Sequence, residues 1–88
     1  MIEDFINKTV VIRSSAGWTY IGKLDSVSPT ELCLSKAAWV ADSGRWGAFV
    51  AGAQPAEAEP WPAEALVMVS RIGSEVSLTP HTLPIPAR

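Results

Sequence analysis

Val10 to Ala38 reads VVIRSSAGWTYIGKLDSVSPTELCLSKAA, and this stretch decides the fold. It divides into three strands and two tight turns. Thr9 to Arg13 alternates, with Val10 and Ile12 on one side and Thr9, Val11 and Arg13 on the other. Ser14-Ser15-Ala16-Gly17 is a turn in which Gly17 supplies positive φ. Trp18 to Val27 is a longer strand with Trp18, Tyr20, Gly22 and Leu24 on one side and Thr19, Ile21, Lys23 and Asp25 on the other. Ser28-Pro29-Thr30 turns the chain again, Pro29 fixing φ. Leu32 to Val40 is the third strand. Gly22, in mid-strand, permits a sharp bend of the kind found at small-barrel corners.

Working outward, Met1 to Asn7 predicts a short helix with Ile2, Phe5 and Ile6 on one face. Glu3 and Asp4 favour its first turn, and Asn7 stops it. Beyond the third strand, Trp46, Phe49 and Val50 fall at helical spacing. Asp42 or Ser43 can start a short helix and Gly52 can end it, and a hairpin strand is the competing reading. Ala53 to Glu64, AQPAEAEPWPAE, reads as an extended surface arm, since three prolines exclude regular helix or a central strand. Trp61 either anchors that arm on a neighbouring subunit or covers its own core. Leu66 to Arg71 and Glu75 to Thr79 are the fourth and fifth strands, separated by Ile72-Gly73-Ser74. The tail, Pro80 to Arg88, carries three prolines and the single histidine and is expected to be extended or mobile.

Eighty-eight residues make one domain with a small core. A hydrophobic content of 48% excludes disorder, and no apolar run is long enough to span a membrane. The start, MIEDFINKT, lacks the basic and apolar regions of a signal peptide. One cysteine, Cys33, forms no internal disulfide, in keeping with an expected cytoplasmic setting. His81 and Cys33 cannot close a zinc site, no Gly-rich phosphate loop is present, and no nucleophile has a base beside it. The expectation is therefore a binding protein, with no enzymatic activity, cofactor or metal. A net charge of −2 argues against coating nucleic acid by charge alone.

The central stretch resembles the first sequence signature of the Sm-like family, the Sm, LSm and Hfq proteins. Gly17, Tyr20, Gly22, Leu24, Val27, Leu32, Leu34 and Ala37 fall in the signature's order. Arg71, Gly73, Val76 and Leu78 approximate its second signature, with Ile72 intervening between the Arg and the Gly. AAWVADSGRW, residues 37–46, is similar to stretches of small Sm-like proteins of phages and prophages, whereas Hfq has no such insert.

The resemblance implies a strongly bent, five-stranded antiparallel barrel over residues 1–79. It has an N-terminal helix, an insert at 44–64 between the third and fourth strands, and a tail at 80–88. It implies a homo-oligomeric ring of about five to seven subunits, closed by pairing the fourth strand of one subunit with the fifth of the next. Leu66, Val67, Met68, Val69, Val76, Ser77 and Leu78 are then the interface residues, with Trp61 beside them. It also implies single-stranded RNA as a partner, held at two turns: Ser28, Thr30 and Glu31 in one, Arg71, Gly73 and Ser74 in the other. Arg71 would stack on a base and pair with phosphate. Ser28 stands where the family usually has Asp, and Glu31 where it has an RNA-contacting Asn. The alternative is a structural or protein-interaction scaffold, phage-derived, that kept the ring and lost the RNA pocket. Arg71 paired with Glu75 or Glu31 would serve structure alone.

Overall fold

A computed structural model describes residues 1–88, and it is mainly β. A 3-10 helix, Ile2–Phe5, opens the chain. Six strands follow: β1 (Thr9–Arg13), β2 (Thr19–Val27), β3 (Glu31–Asp42), β4 (Glu57–Pro60), β5 (Leu66–Ser70) and β6 (Glu75–Leu78). One short helix, α1 (Trp46–Val50), lies between β3 and β4. All pairings are antiparallel and the six strands form one open sheet in the order β4-β3-β2-β1-β6, with β5 also on β3.

The strand alternation read from the sequence decides which residues are inside. Val10, Ile12, Leu24, Leu32, Leu34, Ala37 and Val69 form one core, with Ile2, Phe5, Ile6, Tyr20, Val27, Trp61, Val67 and Val76 packed on it. The 3-10 helix covers this side, and Asn7, at φ 71°, turns the chain out of it. Residues of opposite parity build a second core: Val11, Ile21, Ala38 and Val40, with Phe49, Ala58 and Ile85. Both faces of the sheet are therefore covered, one by folding back on itself and one by α1 and the C-terminal tail.

The bend expected at Gly22 is a bulge. Ile21 pairs with Ala38 but Lys23 pairs with Ser35, so Gly22 faces two residues of β3, Lys36 and Ala37. Lys36 sits at φ 49°, the left-handed conformation of one bulge type. The bulge divides β3. Glu31–Ser35 pairs with β5, and Ala38–Asp42 pairs with β4 on the same edge. A second irregularity places the extra residue, Asp25, on β2, where it accepts a hydrogen bond from Ser35 Oγ at 2.8 Å.

Three expectations are amended. The sheet has six strands where the sequence indicated five, because part of the 53–64 arm pairs as β4. Prolines are tolerated there since β4 is short and lies beside one edge of β3. Neither Asp42 nor Ser43 caps α1: its first flanking residue is Arg45, and the Asp42 carboxylate instead accepts from the Gly44 N–H at 2.9 Å. The tail is extended but packed. Ile85 is fully buried, and Arg88 exchanges backbone hydrogen bonds with Ala58 at 2.9 and 3.2 Å. His81 is buried against Phe49, its Nε2 donating to the Phe49 carbonyl at 2.7 Å.

Candidate binding surfaces

Two turns meet at one end of the sheet. β5 ends opposite the start of β3, with Ser70 paired to Glu31, so the β5–β6 turn leaves beside the β2–β3 turn. The β2–β3 turn is tied locally. Ser28 Oγ accepts from the N–H groups of Thr30 at 3.3 Å and Glu31 at 3.0 Å. Arg71 joins the two turns. Its N–H donates to the Thr30 carbonyl at 2.8 Å and its Nη1 to the Ser28 carbonyl at 2.9 Å. The guanidinium forms no ion pair with Glu31 or Glu75. An open cleft of about 510 Å³ lies here, lined by Arg71, Ser28, Pro29, Val27 and Glu3.

Of the six residues assigned to RNA contact by resemblance, Arg71, Ser28, Thr30 and Glu31 come together. Gly73, at φ 73°, faces elsewhere: a Cβ there would lie 3.0 Å from Ser15 Cβ in the β1–β2 turn. Ser74 Oγ donates to the Ser70 carbonyl at 2.7 Å and so closes its own turn.

The candidate interface residues divide by parity. Val67, Val69 and Val76 face the first core, while Leu66, Met68 and Leu78 are exposed at 64%, 55% and 44%. Ser77 pairs with Val11 within the sheet. β5 is bonded only to β3 and β6 only to β1, and no backbone hydrogen bond reaches their outer edges. The outer edge of β4, by contrast, is engaged at Ala58 by Arg88. Trp61 is on neither free edge. It stacks on Tyr20, ring centres 6.0 Å apart, and covers its own core.

A third surface gathers three of the four tryptophans, which the sequence offers for base stacking or for a subunit interface. Trp18, Tyr20, Trp39, Glu59, Pro60, Trp61 and Pro62 line a groove of about 500 Å³. Trp18 and Trp39 are in tilted contact at 5.6 Å. The missing signal was the strand pairing: the β2–β3 register sets Trp39 beside Tyr20, and Glu59 joins them only once β4 is placed beside β3.

Two titrations are shifted at the exposed start of the chain. The Met1 ammonium is raised and the Asp4 carboxyl lowered, chiefly by the hydrogen bond between them. No group of three His, Cys, Asp or Glu side chains is placed to hold a metal, and no helix is long and apolar enough to cross a membrane. No protein-family model, curated protein or solved structure matches the chain.

Proposed function

We propose that this chain is an Sm-like subunit that assembles head to tail into a homo-oligomeric ring and binds single-stranded RNA weakly at the Arg71 turns. The supporting observation is the pair of unbonded strand edges. Set β4 aside as an addition, and the order β6-β1-β2-β3-β5 leaves β5 and β6 outermost. Unbonded edges carrying exposed leucine and methionine are an association hazard unless another chain pairs with them. Joining β5 of one subunit to β6 of the next is a heterologous contact, and such contacts close into rings when the rotation permits.

Arg71 is a planar donor suited to phosphate and base, and it joins the two turns. One specific observation favours the scaffold alternative: part of that guanidinium is already bonded to the Ser28 carbonyl, and Glu3 lies in the same cleft with Glu31 in the adjoining turn. Those carboxylates oppose a phosphate chain.

Light scattering coupled to size exclusion tests the ring. The expected mass is about five to seven times the 9.4 kDa subunit. A monomer at micromolar concentration refutes assembly. Fluorescence anisotropy with short U-rich or A-rich RNA at low salt then separates the two readings. Salt-sensitive binding that Arg71→Ala weakens and Glu31→Asn strengthens establishes the RNA reading. No binding by the ring or by Glu31→Asn leaves the scaffold.

A further inference from the structure

The aromatic groove is independent of ring assembly and of the Arg71 turns. Its origin is the register of the sheet. Ile12, Tyr20, Trp39 and Glu59 lie in one row across β1 to β4, and directly opposed residues share a face. Trp18 precedes Tyr20 by two residues and Trp61 follows Glu59 by two, so the period of two adds both to that face. Ile12 faces the core; beyond it the row becomes aromatic and opens to solvent. Trp18 is 53% exposed.

The charge of this lining is one-sided. Glu59 is its single charged residue, it is exposed, and it forms no ion pair. Each ring also presents a negative π face. None of the seven lysines and arginines enters the groove. In the adjacent cleft, which shares Trp18 and Trp39, the chain does seat a cation on a ring: Arg13 Cζ lies 5.5 Å from the centre of Trp46. Four aromatic rings without a cation, with an unpaired carboxylate among them, form a surface that attracts positive charge and repels phosphate.

A bare ammonium is strongly hydrated and gives up its water reluctantly. Replacing its hydrogens with methyl groups weakens that hydration and adds apolar surface for the rings to cover. The charge remains, so the attraction to ring faces and to Glu59 is kept. We propose that the groove of Trp18, Tyr20, Trp39, Trp61 and Glu59 is a binding site for a methylated ammonium group. A choline-type headgroup and a methylated lysine side chain both carry that chemistry. In either, the methylated nitrogen sits over the rings and Glu59 balances its charge.

Tryptophan emission of the intact chain, three of whose four tryptophans line the groove, provides the assay. The probes are choline and its neutral carbon isostere, the alcohol in which a tert-butyl group replaces the trimethylammonium. Choline is expected to shift the emission saturably and to bind about tenfold more tightly than the isostere. Glu59→Gln should weaken choline and leave the isostere unchanged. Trp18→Ala removes a ring that is mostly exposed, so it tests the groove without disturbing the core, and it too should weaken choline. Two lysine peptides, one trimethylated and one not, identify the source. Tighter binding of the trimethylated peptide than of choline assigns a methylated lysine; equal binding assigns the headgroup. Equal binding of choline and its isostere, or no saturable change with choline or the trimethylated peptide, overturns the proposal. So does displacement of choline by a proline-rich peptide whose own affinity ignores Glu59→Gln.

Discussion

Two glycines should respond in opposite directions to the same substitution. Gly22 lies in β2 across from the bulge. A Cβ built on it would stand 3.0 Å from the Ser35 carbonyl oxygen, 3.2 Å from Ala37 Cα and 3.3 Å from Ala37 Cβ. Two of these neighbours are backbone atoms of β3, which pairs with β2 on one side and with β4 and β5 on the other. They cannot rotate away as a flexible side chain would. Forcing a methyl into such a site costs about 1–3 kcal/mol. Restricting the unfolded chain returns about 0.4–1 kcal/mol. Gly22→Ala should therefore destabilise by about 1–2 kcal/mol and lower Tm by about 5–15 °C for a domain of this size. Gly47, inside α1, has nothing within 4 Å of its Cβ position. Gly47→Ala gains the same unfolded-state term and better helix propensity, so Tm should rise by about 2–8 °C. Circular dichroism melts at one fixed protein concentration read both, because any assembly makes Tm concentration-dependent. An unchanged or higher Tm for Gly22→Ala refutes the close approach of β2 and β3 at the bulge.

Ile85→Ala should cost about 2–4 kcal/mol in urea unfolding, since Ile85 is fully buried in the second core together with Phe49; a loss under 0.5 kcal/mol would mean that the tail is not docked. Cys33 is 8% exposed between two fully buried leucines. It should react slowly with a thiol reagent in native buffer and fast in denaturant, and fast native labelling would contradict its burial.

The strands of the central stretch were legible because alternation and turn chemistry agreed. Val10, Ile12, Leu24, Leu32 and Leu34 share one parity-defined face, and they form one core. The spacing of Trp46, Phe49 and Val50 gave α1 for the same reason, with Gly52 at φ 121° after it. β4 was not legible. In AEAEP only Ala58 faces a core, and its pairing is set by the free edge of β3 rather than by its own composition. The tail failed on a different count. Proline-rich composition suggests mobility, but Leu83 and Ile85 at a spacing of two were an available sign of one buried side. The meeting of Arg71 with Ser28 and Thr30 was implied by resemblance alone; no charge pattern near Arg71 pointed to a carbonyl acceptor. The groove needs the register of three strands at once, which no local pattern encodes.

Charge separates the two candidate surfaces more sharply than position does. At the Arg71 turns a guanidinium is the attracting group and Glu3 and Glu31 are the opposition. In the aromatic groove a carboxylate attracts and no cation is among the lining residues, Arg13 and Lys36 lying in the adjoining clefts. A phosphate chain gains at the first and loses at the second, and a methylated ammonium does the reverse. One ligand therefore cannot satisfy both by electrostatics, even though aromatic rings alone would suit stacked bases. It follows that Glu59→Gln is the control for RNA binding and Arg71→Ala the control for cation binding. Each removes charge at one surface and leaves the other intact. Three of the four tryptophans line the groove with Glu59, and none lines the Arg71 cleft. A ring formed through β5 and β6 would leave the groove free of the contact, because none of its lining residues belongs to either strand.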